Sequence, residues 1–416
     1  MSFLLSHAHV FDVRHGKVLP DHSILIDGSR IAAVAPSQEI TPLPGTKILD
    51  LAGRTVLPGF IDCHAHLAAV DYELEKRLTT PASLTVLKTA ANLRATLEAG
   101  VTTVREAGGV DAGLRTAVES GLIPGPRLQL SLVIIAQTGG IWDLHLASGA
   151  SVSMKGMVGE VVRYSGGVEA LRQLSRELLA AGADLLNIYT TSSIHKHPRS
   201  LPSAAFTPTE IEAVVYEAHN AGKRVMAHVD GGPGVAAAIR AGVDSVDHPY
   251  YLSDDDIELL LKHDTTLVPT LACNYGILRC AERDPRAGIH DTALETARHI
   301  VAIHEEGFRR ALAAGVRIAM GSDSYGRFQA ENLLELELMV RSGMSPMQAI
   351  RTGTLESARL MGLDDQLGAL ETGKLADLVV VDGDPIQDIS ILQRHGHLSL
   401  VMKNGEICRS RLPAES

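Results

Sequence analysis

The chain reads as an α/β protein: an eight-stranded parallel barrel of alternating strands and helices, with a small β-sandwich built from both chain ends. Three observations predict it. From residue 60 to about 361, short apolar runs alternate with stretches whose apolar residues recur at helical spacing. A phrase of helix end, glycine and new strand recurs at Glu98-Ala99-Gly100-Val101, Ala180-Ala181-Gly182-Ala183, Arg240-Ala241-Gly242-Val243 and Ala313-Ala314-Gly315-Val316. The flanking segments, 1–57 and 366–416, carry hairpin and strand signals instead. The expected division is therefore a β-sandwich of 1–57 with 366–416 and a barrel of 58–365.

The elements follow in order. Residues 23–34 are two strands joined at Asp27-Gly28, and a second turn at Ala52-Gly53 separates 48–50 from 55–57. The first barrel strand enters through Pro58-Gly59 and runs Phe60-Ile61-Asp62-Cys63. Further strands are expected at 101–106, 127–136, 183–190, 224–229, 245–248, 266–270 and 317–321, several of them apolar runs without alternation, as buried parallel strands require. Helices are expected at 83–99, 168–181, 209–221, 253–263 and 293–314, then at 329–342 and 345–361. Thr209 and Glu212 have capping-box spacing at the start of one of them. The segment 139–164 is rich in Gly and Ser, holds Trp142, and is expected to loop over the barrel mouth. Strand signals return at 373–382 and 398–408.

Composition narrows the function. Among 416 residues, 45% are hydrophobic and 21% charged, which is ample for a core. The net charge of −11, with no run of Lys and Arg, disfavours a nucleic-acid partner. No apolar run reaches the length of a membrane span, and the N-terminus lacks a basic region before an apolar stretch. The four cysteines form no Cys-x-x-Cys pair, so a reduced, cytoplasmic setting and no thiolate metal site are expected. Eighteen histidines are the first compositional sign of metal chemistry.

Four His-x-His pairs occur: His7/His9, His64/His66, His195/His197 and His395/His397. Position decides between them. In a parallel barrel, functional side chains project from the C-terminal ends of strands. His64 and His66 lie at the end of the first such strand, and alternation puts Asp62, His64 and His66 on one face. Two imidazoles so placed reach one ion at about 2.0–2.1 Å each. The pairs in the terminal segments read as surface residues. His195/His197 follow the fourth strand, where a βα loop lines the site. His228, His248 and Asp323 end the fifth, sixth and eighth strands and converge on the same mouth. Nitrogen and oxygen ligands without thiolate suit zinc or another borderline divalent ion.

These motifs resemble the amidohydrolase superfamily, metal-dependent hydrolases with a distorted (β/α)8 (TIM) barrel and a β-sandwich from both ends. The resemblance rests on Leu57-Pro58-Gly59-Phe60-Ile61-Asp62-x-His64-x-His66, Gly100-Val101-Thr102-Thr103-Val104-Arg105-Glu106-x-Gly108-Gly109, Ala227-His228, Val246-Asp247-His248, Gly321-Ser322-Asp323 and Gly373-Lys374-Leu375-Ala376-Asp377-Leu378. It covers nearly the whole chain and is nearest in style to imidazolonepropionase-like proteins and Xaa-Pro dipeptidases. There it implies a carboxylated lysine at the end of strand four, bridging two metals; this chain has Asn187 in that place. Either one metal is held, or another acid such as Glu106 substitutes. That branch often has a histidine after Gln137-Thr138-Gly139-Gly140, where this chain has Ile141, with Trp142 and His145 nearby.

The expected reaction is hydrolysis of a carbon–nitrogen bond in an amide, N-acyl amino acid, dipeptide or cyclic amide. The expected ligands are His64, His66, His228 and Asp323, around one zinc. Asp323 moves the proton, and His248 assists the oxyanion or, in a two-metal site, binds the second ion. Candidate substrate contacts are Asn187, Tyr189, His145, Trp142, Arg163, His195 and Tyr250. Deamination on the same scaffold is the first alternative. It is disfavoured because no Glu follows His228, although Asp230 could imitate one. A non-catalytic binding protein is the second alternative, and retention of the ligand set speaks against it. A small-molecule substrate and a homo-oligomer complete the expectation.

Overall fold

The computed structural model describes residues 1–42, 44–70, 76, 79–140, 143–145, 148–149, 151–152, 161–192, 201–284, 288–289, 291–394 and 396–412, with the backbone alone at 144–145, 151–152 and 327. Everything below concerns those residues.

The parallel ring is complete. Strand one is Phe60–Ala65 and strand two Val101–Glu106. Strand three is split into Arg127–Leu130 and Ile134–Ala136. Strands four to seven are Leu185–Tyr189, Arg224–His228, Ser245–Asp247 and Thr266–Val268. Each pairs in parallel with the next. Residues 317–324 close the ring without a regular ladder. Leu267 N–H donates to Arg317 O (2.9 Å), and Cys63 N–H donates to Met320 O (2.9 Å). Asp323 N–H and His66 N–H then bond His64 O (2.7 Å) and Ser324 O (3.0 Å). Gly321 makes this closure possible, because a Cβ there would lie 2.3 Å from Val268 Cγ1 and 2.9 Å from His64 Cβ.

The split of strand three departs from the single strand expected over 127–136. Leu132 takes a left-handed conformation (φ 66°), which interrupts the ladder. The first piece pairs with strand two and the second with strand four. The expected loop over 139–164 also ends in a strand, Val162–Tyr164, parallel to Ile134–Ala136. The short strands Leu144–His145 and Ser151–Val152 pair within it. Two helices, Ala112–Glu119 and Leu271–Arg283, were not expected, and Pro233–Ala241 was expected only through its glycine end at Gly242. The capping box expected at Thr209 lies two residues earlier, where Thr207 and Glu210 cap Pro208–Asn220. Proline at the first helical position suits that start, since its missing N–H would be unpaired anyway. The final helix expected over 345–361 is interrupted by a π-helical turn, Thr352–Glu356. Its Thr352 carbonyl accepts from Met320 N–H beside the eighth strand. The four repeated glycines all have φ between 81° and 95°, the left-handed cap that the recurring phrase implied.

Both chain ends join in one eight-stranded sheet. Thr55–Pro58 is its hinge point, parallel to Ser2–Asp12 and antiparallel to Leu378–Val381. Leu5, Val10, Ile24, Val56, Leu378, Val380, Leu400 and Met402 form its own apolar cluster. It meets the barrel where strands begin. Gly59 N–H donates to Asp377 O (2.8 Å), and Arg127 Nη1 lies 2.8 Å from Asp377 Oδ2. The opposite end of the barrel, where the strands finish, holds the histidines.

Candidate metal centre

Strand one delivers two imidazoles with settled orientations. Asp62, fully buried, accepts from His64 N–H (3.0 Å), Ser322 N–H (3.0 Å), Ser322 Oγ (2.5 Å) and Asn332 Nδ2 (2.7 Å). It thereby ties the end of strand one to the turn after strand eight. His64 Nδ1 lies 2.7 Å from Asp247 Oδ2, and His66 Nδ1 lies 3.1 Å from Gly108 O. Both acceptors call for a protonated Nδ1, which leaves Nε2 as the lone-pair nitrogen. Both Nε2 atoms lie 3.6 Å from Asp323 Oδ1.

Asp247 is the hub of a buried network. Arg105 Nη2 donates to its Oδ2 (2.8 Å) and Ser245 Oγ to its Oδ1 (2.6 Å). Burial would raise the Asp247 pKa, but the Arg105 charge and the His64 and Ser245 bonds outweigh it and hold it below the usual carboxylate value. Burial likewise opposes a charged His64, yet the Asp247 bond and the Asp323 and Asp247 charges raise its pKa overall. Asp62 is pushed up, burial outweighing its hydrogen bonds.

His248 is different. Burial, then the neighbouring His64, His228, His66 and His304, hold its pKa well below the ordinary value, so it is a neutral imidazole. Its Nδ1 lies 2.7 Å from Thr270 Oγ1 and 4.0 Å from Asp323 Oδ2. Donor atoms of His64, His248 and Asp323 all lie within 4.8 Å of one another. His228 stands one ring further out, its centroid 4.5 Å from that of His248 and 3.8 Å from the stacked Tyr189 ring. Neither His228 nitrogen makes a hydrogen bond; Nε2 is 3.2 Å from Asp230 Oδ1 but outside bonding geometry. His64 Nε2 is also buried without a hydrogen bond.

The other residues singled out in the sequence divide. Asn187 is fully buried on strand four, with Nδ2 donating to Ala107 O (2.7 Å) and Oδ1 unpartnered. Tyr189 and Tyr250 are each 4% exposed. Burial, and then nearby Cys273, Asp323 and Asp230, push their phenols well above the ordinary value. Tyr250 also packs edge-on against His304, centroids 5.0 Å apart. Arg163 Nη1 lies 3.4 Å from Glu177 Oε2 on the following helix, while its neighbour Val162 packs with Tyr189. Trp142 and His195 lie outside the described residues, as does the side chain of His145. Glu106 accepts from the N–H groups of Leu67 (3.2 Å), Gly108 (3.0 Å) and Val110 (3.3 Å). Burial pushes it up to about 7 against those bonds. Its carboxylate is committed to the loop after strand two.

Sequence reasoning passed over Arg105, Asp247, Thr270 and Cys273. Arg105 and Asp247 stood inside quoted motifs, but 142 residues separate them, and nothing local signals their pairing. Thr270 and Cys273 flank the start of the unrecognised helix Leu271–Arg283.

Known proteins share this architecture. Ochratoxinase of Aspergillus niger is 26% identical over 85% of this chain and 75% of its own length. Imidazolonepropionase of Acinetobacter baumannii is 25% identical over 92% of this chain and 93% of its own. A solved prolidase, complexed with N-methylphosphonate-L-proline, superposes with a TM-score of 0.89 at 30% identity, covering 98% of this chain and 99% of that one. The amidohydrolase family model matches residues 55–408, from the last strand before the barrel into the final strand of the sheet, so the chain belongs to the amidohydrolase family and is a hydrolase of carbon–nitrogen bonds.

Proposed function

We propose that the barrel mouth hydrolyses an amide whose nitrogen belongs to an amino acid, in an N-acyl amino acid, dipeptide or cyclic amide, with one zinc ion per chain. The observation that carries this is the spacing of His64 Nε2 and His66 Nε2, each 3.6 Å from Asp323 Oδ1. Atoms that share one zinc ion at ~2.1 Å each lie about 3–4 Å apart. The buried nitrogens of His64 and His228 that lack hydrogen bonds support the same reading, because such groups are rarely left unpartnered. His64, His66, Asp323 and His228 would hold the ion. When bound, it would acidify a water molecule and polarise the scissile carbonyl.

The chain's own groups do the rest. Asp323 accepts the proton of the attacking water and returns it to the leaving nitrogen. His248, neutral and buried, donates to the carbonyl oxygen as that oxygen gains charge. Asn187, a neutral amide, supplies no bridging carboxylate, which favours one ion over two. Asp247 and Gly108 O hold the two strand-one imidazoles in the tautomer that presents Nε2. The names of the relatives, prolidase and Xaa-Pro dipeptidase among them, support an amino-acid nitrogen as leaving group.

Metal analysis beside a screen of N-acyl amino acids, dipeptides and lactams tests the proposal. One zinc per chain and loss of hydrolysis on chelation are expected. Full activity in stripped protein, or in His64→Ala, would sink it. A second reading, deamination, draws on Asp230, buried 3.2 Å from His228 Nε2, where an acid could protonate a ring nitrogen. Ammonia release from an amine substrate would favour it. We further place the enzyme in the cytoplasm as a homo-oligomer, for which light scattering is the check. No described helix is long and apolar enough to cross a membrane.

A further inference from the structure

Three adjacent strands finish in left-handed residues that are not glycine: His248 (φ 83°), Thr270 (φ 56°) and Asp323 (φ 49°). Strain of this kind gathers at functional sites when the surroundings over-determine it. Thr270 is the least expected of the three, since a β-branched side chain is a true outlier there. The surroundings do hold it. The next two residues, Leu271 and Ala272, donate their N–H groups to the buried carboxylate of Glu335 at 3.0 and 2.7 Å. The Thr270 side chain is fully buried, with Oγ1 2.7 Å from His248 Nδ1. Glycine would fit the backbone at less strain; what threonine adds is the hydroxyl.

We propose that Thr270 is a positioning residue for the hydrolysis, holding the ring of His248 through Nδ1 in one orientation beside Asp323. The inference rests on the hydrolytic role given to His248 above. With Nδ1 engaged by Oγ1, the imidazole cannot rotate freely, and the ring keeps one direction toward the developing oxyanion. The threonine acts only through the histidine.

The test compares Thr270→Val, Thr270→Ser and Thr270→Gly in the metal-loaded enzyme with an amide that the wild type hydrolyses. In Thr270→Val, kcat should fall about 10–100-fold, the usual effect of removing a partner that orients a site residue. KM and metal content should hold. Thr270→Ser should recover most of kcat. Thr270→Gly, which relieves the left-handed backbone, should stay folded yet be as slow as the valine variant, which also covers the case in which valine prevents folding. Nitrogen-15 NMR of labelled histidine, with His248 assigned by its loss in His248→Gln, reads the ring directly. One sharp His248 signal set in wild type and Thr270→Ser, with the Nδ1 signal shifted or broadened in Thr270→Val and Thr270→Gly, is expected. Unchanged kcat and unchanged His248 signals in the valine and glycine variants would overturn the proposal. If the wild type hydrolyses no amide, the hydrolytic reading fails, while the NMR arm still decides whether Thr270 fixes the ring.

Discussion

His64 depends on a carboxylate from another strand. Asp247 meets both His64 and Arg105 in a fully buried setting, and removing its charge leaves the guanidinium without its counter-ion. Asp247→Asn should therefore act twice. Metal affinity should fall about 10–100-fold, as when other outer partners of ligating histidines are lost. Stability should fall by about 3–5 kcal/mol, the usual effect of breaking a buried ion pair from one side. Chelator competition and urea unfolding measure the two. Unchanged affinity would show that Asp247 does not orient His64. At this scale the candidate ligands were legible, since His-x-His at a strand end is a local pattern. Their partners were not, because a hydrogen bond between residues 64 and 247 leaves no trace in spacing.

Among the elements, the junction between strand seven and helix Leu271–Arg283 is one that pattern reading does not reach. The helix opens on a left-handed threonine and has no capping side chain of its own. Its N-terminus is satisfied instead by Glu335, from helix Leu334–Arg341. Burial pushes Glu335 up to about 8, against its backbone bonds. The folded state thus keeps a proton on Glu335 that the unfolded chain releases near 4.5. The associated stability is full below about 4.5 and is lost as pH rises through about 8. Wild type should accordingly lose stability between about pH 5 and about pH 9 relative to Glu335→Gln, which cannot ionise. Denaturant midpoints across that range check the slope, and parallel curves for the two proteins would refute it. By contrast, helices that end on glycine were legible, because a left-handed cap is a local demand on one residue.

At the scale of the whole molecule, the sheet closes over the end of the barrel opposite the candidate metal centre. Asp377 joins the two, bonding Arg127 through Oδ2 and Asn404 N–H through Oδ1, both at 2.8 Å. Lys403 and Arg409 add bonds to the barrel carbonyls Gly125 O (2.6 Å) and Glu98 O (2.7 Å). With this much shared bonding, calorimetry should record one unfolding transition. Asp377→Ala should lower stability by about 2 kcal/mol, less than for a fully buried pair because the Arg127 side chain is 24% exposed. An unchanged melting temperature would show that Asp377 is not the joint.

The sequence by itself determined the alternation of strand and helix, the pairing of both chain ends and the convergence of His64, His66, His228, His248 and Asp323 on one mouth. Each rests on short-range rules: side-chain period, glycine caps, and the direction in which parallel strands point. Only the tertiary structure decided how those residues are aimed. It broke strand three at Leu132, set Arg163 beside Glu177, occupied Glu106 with backbone, and set Asp247 and Thr270 against the histidines. These outcomes depend on burial and on contacts between residues far apart in the chain, where the requirement to pair each buried polar group outweighs any local preference.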